Sequence, residues 1–320
     1  MKFCVLLTCF NRKEKTINCI KSLSQGNKSQ IDFIVVDDGS TDGTADALDN
    51  MAKELYEKDS EHVSIEVVRG DGGLYYSGGM RKAMEAAKGQ ELVMRCKTDT
   101  SCSQQDVYKD QQDTSCAQQN GRGSDHDADY YVLVNDDVEF DAGVLDKLAE
   151  MPCAISSGNS IDGSKVIVGA MRDSSGKCSY GGVKYYSGIH YKQVGPDAAD
   201  RTCDTFNANF VAVPRQVFNS VPIIDPVFIH SLGDFDYGLQ IKKAGYRIEV
   251  TDHFVGTCNN NPSKGTWNDK TLGRVERMKR KESVKGAPAK QWFHFLNKNF
   301  GPGYALLYSV TPYIRILLGK

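Results

Sequence analysis

Short apolar runs that alternate with helical patterns constrain the fold of this 320-residue chain more than any other feature. Four such runs, at residues 3–8, 31–36, 63–68 and 130–134, have the length and composition of buried strands. Strands separated by helices predict a parallel α/β sheet. Because such sheets bind ligands at the carboxyl ends of their strands, the loops after the first, second and fourth runs are the first candidates for function.

Composition excludes several classes of protein. The chain carries 39 Lys and Arg against 41 Asp and Glu, a formal net charge of −2, whereas nucleic-acid binders usually have a strong basic excess. Hydrophobic residues make up 40% and charged residues 25%, which are ordinary globular values and exclude a coiled coil or wholesale disorder. No run approaches the roughly 20 apolar residues that span a bilayer. Without a recognisable secretion signal, we expect a cytoplasmic protein with reduced cysteines.

The predicted organisation has three parts. Residues 1–140 would form a nucleotide-binding half, residues 141–262 a catalytic, acceptor-binding half, and residues 263–320 a basic, aromatic helical tail. The second part contains shorter apolar patterns separated by Gly and Ser, which predict antiparallel strands. These patterns lie at 165–170, 178–183 and 185–192.

A polar insertion interrupts the first part at about residues 90–128. It is rich in Gln, Ser, Thr and Asp, and its sequence DTSCSQQ at 99–105 recurs as DTSCAQQ at 113–119. Such a segment buries too little apolar area to offset the entropy of ordering it. We therefore expect a flexible, solvent-exposed loop outside the sheet.

The strongest local signal for chemistry is the sequence Asn135-Asp136-Asp137 directly after the fourth run. Two adjacent carboxylates at a strand end are costly unless a cation bridges them. A divalent ion with oxygen ligands is the usual solution, and Mg²⁺ commonly shares its coordination shell with substrate phosphates. The alternative is a plain solvated turn.

Three further positions offer candidates. Asp38 follows the second run and is either part of a helix-capping turn or an acceptor for a nucleobase N–H. Glycines at 70, 72 and 73 would let backbone amides approach a phosphate, which Arg81 could pair with. Asp234 precedes a helical pattern, where it is either a cap or a general base facing a hydroxyl.

Five motifs occur in one order: TCFNR at 8–12, VVDDGSTDGT at 35–44, SGGMRKA at 77–83, VLVNDDV at 132–138 and HSLGDFDYGLQIKKAGY at 230–246. Together they resemble the inverting family 2 glycosyltransferases, and most of all the bacterial enzymes that build capsule, lipopolysaccharide or exopolysaccharide. The resemblance covers essentially everything except the polar insertion. It implies the GT-A fold, in which a Rossmann-like, mostly parallel nucleotide-binding sheet joins a smaller acceptor-side half with antiparallel strands.

The resemblance also implies roles for residues on the donor side. Thr8, Phe10 and Asn11 would line the nucleotide pocket, with the Phe10 ring against the base. Asp38 would contact the edge of the base, and Arg81 would lie near the diphosphate.

A second group of residues would carry the metal and the reaction. Asp137 would be the direct ligand of Mn²⁺ or Mg²⁺, with Asp136 nearer the ribose, and His253 matches loosely a metal-binding histidine of some relatives. Asp234 would be the catalytic base. Gly233 stands where many relatives have an acidic residue, so Asp236 remains a rival base.

The activity implied by the resemblance is metal-dependent transfer of one sugar from a UDP-, dTDP- or GDP-sugar to a glycan acceptor, including one carried on a lipid. No Q-x-x-R-W motif is present, so a processive synthase is not expected. The alternatives are a sugar-1-phosphate nucleotidyltransferase, whose G-x-G-x-R element is missing near the first run, and a non-catalytic sugar-nucleotide-binding component of a polysaccharide assembly complex.

The C-terminal tail allows two interpretations. Eight Lys and Arg lie between residues 274 and 298, a segment that also contains Trp292 and Phe293 and is followed by the apolar stretch 304–318. One interpretation is an anionic membrane surface as partner, on the inner face of the cytoplasmic membrane, with the aromatic residues in the interface. The other is ordinary helical packing with a solvated charged face.

Overall fold

A large mixed sheet is the central feature of the structure. The structure is a computed structural model, and it describes residues 1–59, 62–89, 127–150 and 165–320. The polar insertion predicted at about 90–128, with its repeat, lies almost wholly outside the described residues. The strands are β1 (Lys2–Cys9), β2 (Gln30–Asp37), β3 (Val63–Arg69), β4 (Tyr130–Asn135), β5 (Glu139–Phe140), β6 (Lys165–Arg172), β7 (Cys178–Tyr180), β8 (Gly182–Ser187), β9 (His190–Val194), β10 (Thr205–Phe206), β11 (Phe210–Pro214) and β12 (Arg247–Thr257). The helices are α1 (Lys13–Ser24), α2 (Thr44–Asp59), α3 (Tyr75–Ala87), α4 (Val144–Glu150), α5 (Arg215–Ser220), α6 (Gly233–Lys243), α7 (Arg274–Glu282), α8 (Ala289–Phe300), α9 (Pro302–Tyr308) and α10 (Thr311–Leu317), with a 3-10 turn at Val284–Gly286.

The order of strands in the large sheet is β3-β2-β1-β4-β11-β6-β12-β5, and β7 pairs with the outer part of β6. The first four strands of this order are parallel, as the alternating pattern predicts. β11 then runs antiparallel to both β4 and β6. One sheet therefore contains strands from both sides of residue 140.

Strands β10, β8 and β9 form a separate antiparallel sheet, as expected for the acceptor-side half. Two predicted strand boundaries are wrong. The pattern at 178–183 is divided at Gly181 between β7 and β8, which belong to different sheets, and the pattern at 185–192 is divided by a turn between β8 and β9. Gly188 in that turn has φ +55°, a backbone conformation that side chains with a Cβ rarely adopt.

Buried apolar side chains cover both faces of the large sheet, which explains why its strands are nearly continuous apolar runs. On one face, Met80, Ala83 and Met84 of α3 pack against the sheet together with residues of α5 and α6. On the other face, Ile20 and Leu23 of α1 pack together with residues of α2 and α4. This layered arrangement fixes the strand ends at one edge.

The C-terminal helices pack onto the second half of the chain through an aromatic cluster. Its buried members are Phe228, Leu239, Phe295, Leu296 and Ala305. Several basic residues of this segment are also internal. Arg277 is 2% exposed and donates to the backbone oxygens of Trp267 and Lys320. Among the described residues, the helices are all too short or too polar to cross a bilayer.

Candidate active site

The two carboxylates after β4 meet a cation that belongs to the protein. β1 and β4 are neighbours in parallel register, with Thr8 opposite Asn135, so the residues after both strands share one edge. Nη1 of Arg12 donates to Oδ1 of Asp136 at 2.7 Å and to Oδ2 of Asp137 at 3.2 Å. The bridging cation that two adjacent carboxylates require is therefore a guanidinium in this structure.

The same cluster has the donor atoms that a hard divalent ion takes. Burial raises the pKa of Asp136 to about 6, although Arg12 acts to lower it. The Oδ1 atom of Asn135 is buried without a hydrogen-bond partner among the described residues. Two carboxylates and an unpartnered amide oxygen in three consecutive residues fit Mg²⁺ or Mn²⁺, which bind through one or two carboxylates, water and substrate phosphates. The donor set therefore agrees with the expected metal.

His253, the loosely matched metal ligand, pairs with its neighbour Asp252, and its role at a metal stays a prediction. Its ring Nδ1 lies 2.7 Å from Oδ1 of Asp252, and its side chain is 42% exposed. The residue that approaches Asp137 from the end of β12 is Cys258, whose Sγ lies 3.8 Å from Oδ1 of Asp137. Within the described ranges, no group of three His, Cys, Asp or Glu side chains is arranged to hold a metal by itself.

The carboxylate of Asp38 binds backbone amides of the loop between β3 and α3. Asp38 is buried, and its carboxylate accepts backbone N–H bonds from Gly72, Leu74 and Tyr75, each at 3.0 Å. A Cβ atom on Gly70 would lie 2.6 Å from Oδ1 of Asp38, so the close approach requires glycine there. The glycine-rich loop thus directs these amides at Asp38, and a contact of Asp38 with a base stays a prediction.

The residues after β1 form an exposed rim beside Asp38. Phe10 is 49% exposed. Asn11 has φ +52°, and it connects the loops after β1 and β2 because its N–H donates to Ser40 Oγ at 2.9 Å and its Oδ1 accepts from Thr41 N–H at 2.7 Å. Thr8 lies beneath α3, where a Cβ atom on Gly79 would come within 2.1 Å of its Oγ1. Their contacts with a nucleotide stay predictions.

Arg81 of α3 lies near Glu85 of its own helix and near residues of the second half of the chain. It lines a cavity of about 440 Å³ together with Glu85, residues 222–226, Gln240 and Lys298. Nε of Arg81 is 3.8 Å from Oε1 of Glu85, and its Nη1 is buried without a hydrogen-bond partner in the described part of the chain. Arg81 therefore pairs within its own helix and faces residues of the second half across this cavity, and its role at the diphosphate stays a prediction.

Asp234 lies in the first turn of α6, which follows a bend in the backbone. The preceding Leu232 has φ +72°, and the Asp234 carboxylate accepts N–H bonds from Phe235 at 2.9 Å and Ala208 at 3.3 Å. Burial raises the pKa of Asp234 to about 6, and the two N–H bonds oppose this effect. The hydroxyl of Tyr76 is buried nearby without a partner among the described residues.

Asp236, two residues further along α6, is fully buried and has a different environment. Its Oδ2 accepts from Gln240 Nε2 at 2.7 Å and from Lys298 Nζ at 2.8 Å, and its Oδ1 accepts from Asn299 Nδ2 at 2.8 Å. Lys298 also donates to Asp225 at 2.8 Å. These bonds attach α8 to α6 and indicate a structural function for Asp236.

The first turn of α3 connects the Asp38 loop with the start of α6. Ser77 Oγ donates to the His230 carbonyl at 2.9 Å, and a Cβ atom on Gly233 would lie 2.4 Å from Ser77 Oγ. The Tyr75 ring meets the His230 ring edge-on at 6.2 Å. Burial, aided by the charges of Lys285 and Arg12, lowers the pKa of His230 to about 4. The structure thus brings His230 and Arg12 to the site, which the sequence did not single out.

Comparison with known proteins gives a family for the first part of the chain. Residues 4–111 match the model of glycosyl transferase family 2. This segment is a family 2 glycosyltransferase domain. It includes β1, β2, β3 and α3, and therefore Arg12, Asp38 and the loops around them. The chain has the GT-A fold, as the order of motifs predicts, and its first third carries the match to the glycosyltransferase family. No curated protein sequence matches it.

The solved structure of a mannosyltransferase shares the fold. The mannosyltransferase PcManGT from Pyrobaculum calidifontis, in complex with GDP-Man and Mn²⁺, is 12% identical with a TM-score of 0.53, and the alignment covers 99% of this chain and 73% of that one. The S. aureus protein TarS, residues 1–349, is 12% identical with a TM-score of 0.49, with 99% and 81% covered. At this identity the likeness to PcManGT shows the fold alone.

Proposed function

We propose that this glycosyltransferase catalyses an inverting, non-processive transfer of one sugar from a nucleotide-sugar donor to a hydroxyl acceptor. The observation that carries the proposal is the environment of Asp234, which has a pKa of about 6 and accepts only backbone N–H bonds in the described part of the chain. A general base works best when its pKa lies near the operating pH. The rival Asp236 is bound by three side chains of α6 and α8.

In the proposed step, Asp234 removes the proton of the acceptor hydroxyl while that oxygen forms a bond to the anomeric carbon of the donor sugar. The bond between this carbon and the diphosphate oxygen breaks, and its electron pair leaves with the nucleoside diphosphate. Because the acceptor attacks from the face opposite the leaving group, the anomeric configuration is inverted.

On the donor side, Thr8, Phe10, Asn11 and Asp38 are proposed to surround the nucleoside. Phe10 supports this assignment because its large apolar ring is 49% exposed. Oδ1 of Asp38 accepts a single N–H bond in the structure, so it retains capacity for an N–H of the base. We assign a diphosphate contact to Arg12, which touches Asp136 and Asp137, and keep Arg81 as the second residue proposed near the diphosphate.

Asp137 and Asp136 would hold a divalent ion, with Asp137 as the direct ligand and Asp136 towards the ribose. A bound Mn²⁺ or Mg²⁺ would neutralise the charge that develops on the departing diphosphate. The unpartnered oxygen of Asn135 supports this assignment, and so does the Mn²⁺ in the complex of PcManGT.

The donor and the biological context are part of the proposal. We infer a UDP-, dTDP- or GDP-sugar as donor, and PcManGT with its GDP-Man favours testing GDP-sugars first. The acceptor would be a glycan of bacterial surface polysaccharide, such as capsule, lipopolysaccharide or exopolysaccharide. A screen of these donors by thermal shift with Mn²⁺ or Mg²⁺ identifies the donor, since a ligand of the native state raises the unfolding temperature.

Association with an anionic membrane at the inner face of the cytoplasmic membrane completes the proposal. Six aliphatic side chains of α9, α10 and the residues beside them are 48–71% exposed: Leu306, Leu307, Val310, Ile314, Leu317 and Leu318. We call them the aliphatic surface. Arg315 and Lys320 are exposed within the same segment, which suits anionic lipid headgroups.

Co-sedimentation with vesicles tests this surface. The double variant Leu306→Ser and Leu307→Ser should lose most binding to phosphatidylglycerol vesicles, because it removes two apolar side chains from the interface. Val275→Ser, which changes a residue on α7 that is 71% exposed, is the matched control and should bind normally. Equal binding of the two variants to phosphatidylglycerol vesicles would contradict the membrane proposal. So would equal binding of the wild type to phosphatidylglycerol and to neutral phosphatidylcholine vesicles.

The central test is the variant Asp234→Asn. It should lower the rate of sugar transfer by about 10²–10⁴ while its thermal shift with nucleotide and metal stays near that of the wild type. Asp236→Asn serves as the comparison, and there the main effect should be loss of stability. If Asp234→Asn transferred sugar at the rate of the wild type, Asp234 would not be the base.

The products formed from the nucleotide substrates separate the alternative functions. A sugar-1-phosphate nucleotidyltransferase would release pyrophosphate from a nucleoside triphosphate, and a non-catalytic binder would bind the sugar nucleotide without cleaving it. The acidic residues with raised pKa values at two positions favour catalysis over binding alone.

A further inference from the structure

Three aromatic rings contact one another edge to face next to the start of α6. Tyr185 of β8 and Tyr191 of β9 are cross-strand partners with ring centroids 5.8 Å apart. The Tyr191 ring in turn lies 5.8 Å from the ring of Phe235 on α6. We call these three residues the aromatic platform.

The aromatic platform is adjacent to the proposed base. Phe235 follows Asp234 in the chain, and its N–H donates to Oδ1 of Asp234 at 2.9 Å. Tyr185 and Phe235 are half-buried, but Tyr191 is 54% exposed although two aromatic neighbours pack against it. A large exposed ring that packs on the neighbour of a half-buried carboxylate is a common feature of ligand sites.

A pyranose ring matches the chemistry of this platform. The C–H groups on one face of a sugar are apolar with slight positive charge, and the face of an aromatic ring is negative. Contact through that face leaves the hydroxyls at the edge of the sugar free. One of them could therefore point to Asp234, and orientation of this kind contributes strongly to catalysis.

We propose that the aromatic platform is the subsite for the acceptor sugar, with Tyr191 as the positioning residue that supports a pyranose ring beside Asp234. This inference rests on the proposed function. Simple packing of β9 on α6 would explain Tyr185 and Phe235, but it does not explain the exposure of Tyr191.

The aromatic platform is connected to the aliphatic surface through the turn between β8 and β9. Tyr304 of α9 packs on the turn between β8 and β9, where a Cβ atom on Gly188 would lie 2.9 Å from Tyr304 Cε1. The hairpin that carries Tyr191 is therefore in contact with the helix that begins the aliphatic surface. An acceptor sugar on a lipid would reach Asp234 while its lipid stays in the membrane.

The experiment compares Tyr191→Ala with Tyr191→Phe and with Tyr186→Ala. Tyr186 is a matched control because it neighbours Tyr185 in β8, is 67% exposed, and stacks on His190 instead of Phe235. The acceptors are p-nitrophenyl glycosides of glucose, galactose, mannose and N-acetylglucosamine, used with the donor found by thermal shift. Donor hydrolysis without acceptor is measured in parallel, and thermal unfolding verifies the fold of each variant.

We expect Tyr191→Ala to raise the KM of the accepted glycoside at least tenfold, with donor hydrolysis unchanged. Tyr191→Phe should stay within about threefold of the wild type because the ring remains, and Tyr186→Ala should have no effect. An equal KM for Tyr191→Ala and Tyr186→Ala would overturn the inference. Donor hydrolysis without transfer to any glycoside would also overturn it, whereas failure to cleave any donor would instead refute the proposed function.

Discussion

The acidic residues of the candidate active site and those beneath α8 differ in how their charges are paired. We call the positions of Asp136, Asp137 and Asp234 the catalytic edge. At the catalytic edge, burial raises the pKa values of Asp136 and Asp234 to about 6. Beneath α8, Lys298 donates to both Asp225 and Asp236. Although burial opposes it, the hydrogen bonds from Lys298, Val227 N–H and His294 lower the pKa of Asp225 to about 2.

This comparison explains how one helix can carry two kinds of acid. Asp234 and Asp236 are separated by one residue, yet one faces backbone amides and the other faces side chains that bind both of its oxygens. A buried carboxylate with incomplete pairing readily binds a proton or a cation. A fully paired one connects elements of the fold. Asp234 and Asp236 are the same residue type, so their different environments come from their hydrogen-bond partners.

The largest predicted effect is on the paired side. Lys298→Met leaves Asp225 and Asp236 without their shared cation, and an unpaired buried charge costs about 3–5 kcal/mol of unfolding free energy. Urea unfolding measures the loss. Lys290→Met, which changes an exposed lysine at the start of the same helix, should stay within about 0.5 kcal/mol of the wild type. Similar curves for both variants would show that the pairing beneath α8 is not important for stability.

A second prediction concerns pH and the unpaired side. Folding raises the pKa values of Asp136 and Asp234 from 3.8 to about 6, so the native state binds more protons than the unfolded state between pH 4 and pH 6. Their contribution to stability is therefore greatest below pH 4 and is lost as the pH rises to 6. At pH 7.5, Asp234→Asn should be about 1–3 kcal/mol more stable than the wild type, as measured by urea unfolding.

Activity should respond to pH in the opposite direction, because the base acts in its ionised form. Below pH 6 the rate of transfer should fall about tenfold for each pH unit. A rate that is constant between pH 5 and pH 7 would contradict the raised pKa of the base.

The smallest predicted effect concerns the cation of the catalytic edge. Arg12→Met removes the bridge between Asp136 and Asp137, so in the presence of a chelator the protein should lose about 1–2 kcal/mol of unfolding free energy. Mn²⁺ should restore part of the loss, and its thermal shift should exceed that of the wild type because the guanidinium no longer competes. Arg12→Lys keeps the charge and should change the shift less. A smaller Mn²⁺ shift in Arg12→Met than in the wild type would contradict this account.

Local signals were sufficient for much of the fold. Buried runs predicted β1, β2, β3 and β4, because strands covered on both faces are apolar along their whole length. The boundaries at 178–183 and 185–192 failed since one glycine separates two sheets and another forms a tight turn. Alternation within six residues cannot distinguish a long strand from two short ones.

Much of the candidate site depends on contacts between distant residues. Arg12 reaches Asp136 because β4 pairs with β1, although the two residues are 124 positions apart in sequence. The sequence could not choose between Asp234 and Asp236, because the partners that bind Asp236 lie at Lys298 and Asn299. Residue types and strand ends indicated where chemistry belongs, and only the tertiary structure distinguished structural acids from candidate catalytic ones.

The bonds from Lys298 and Asn299 to Asp236 have a practical consequence for anyone who prepares this protein. Shortening the chain before Ala289 to improve expression would also remove the side chains that hold α6 in place. An inactive short form would then report a displaced helix and give no information about lipid. Exchanging individual leucines for serines is the safer route to a soluble, working enzyme.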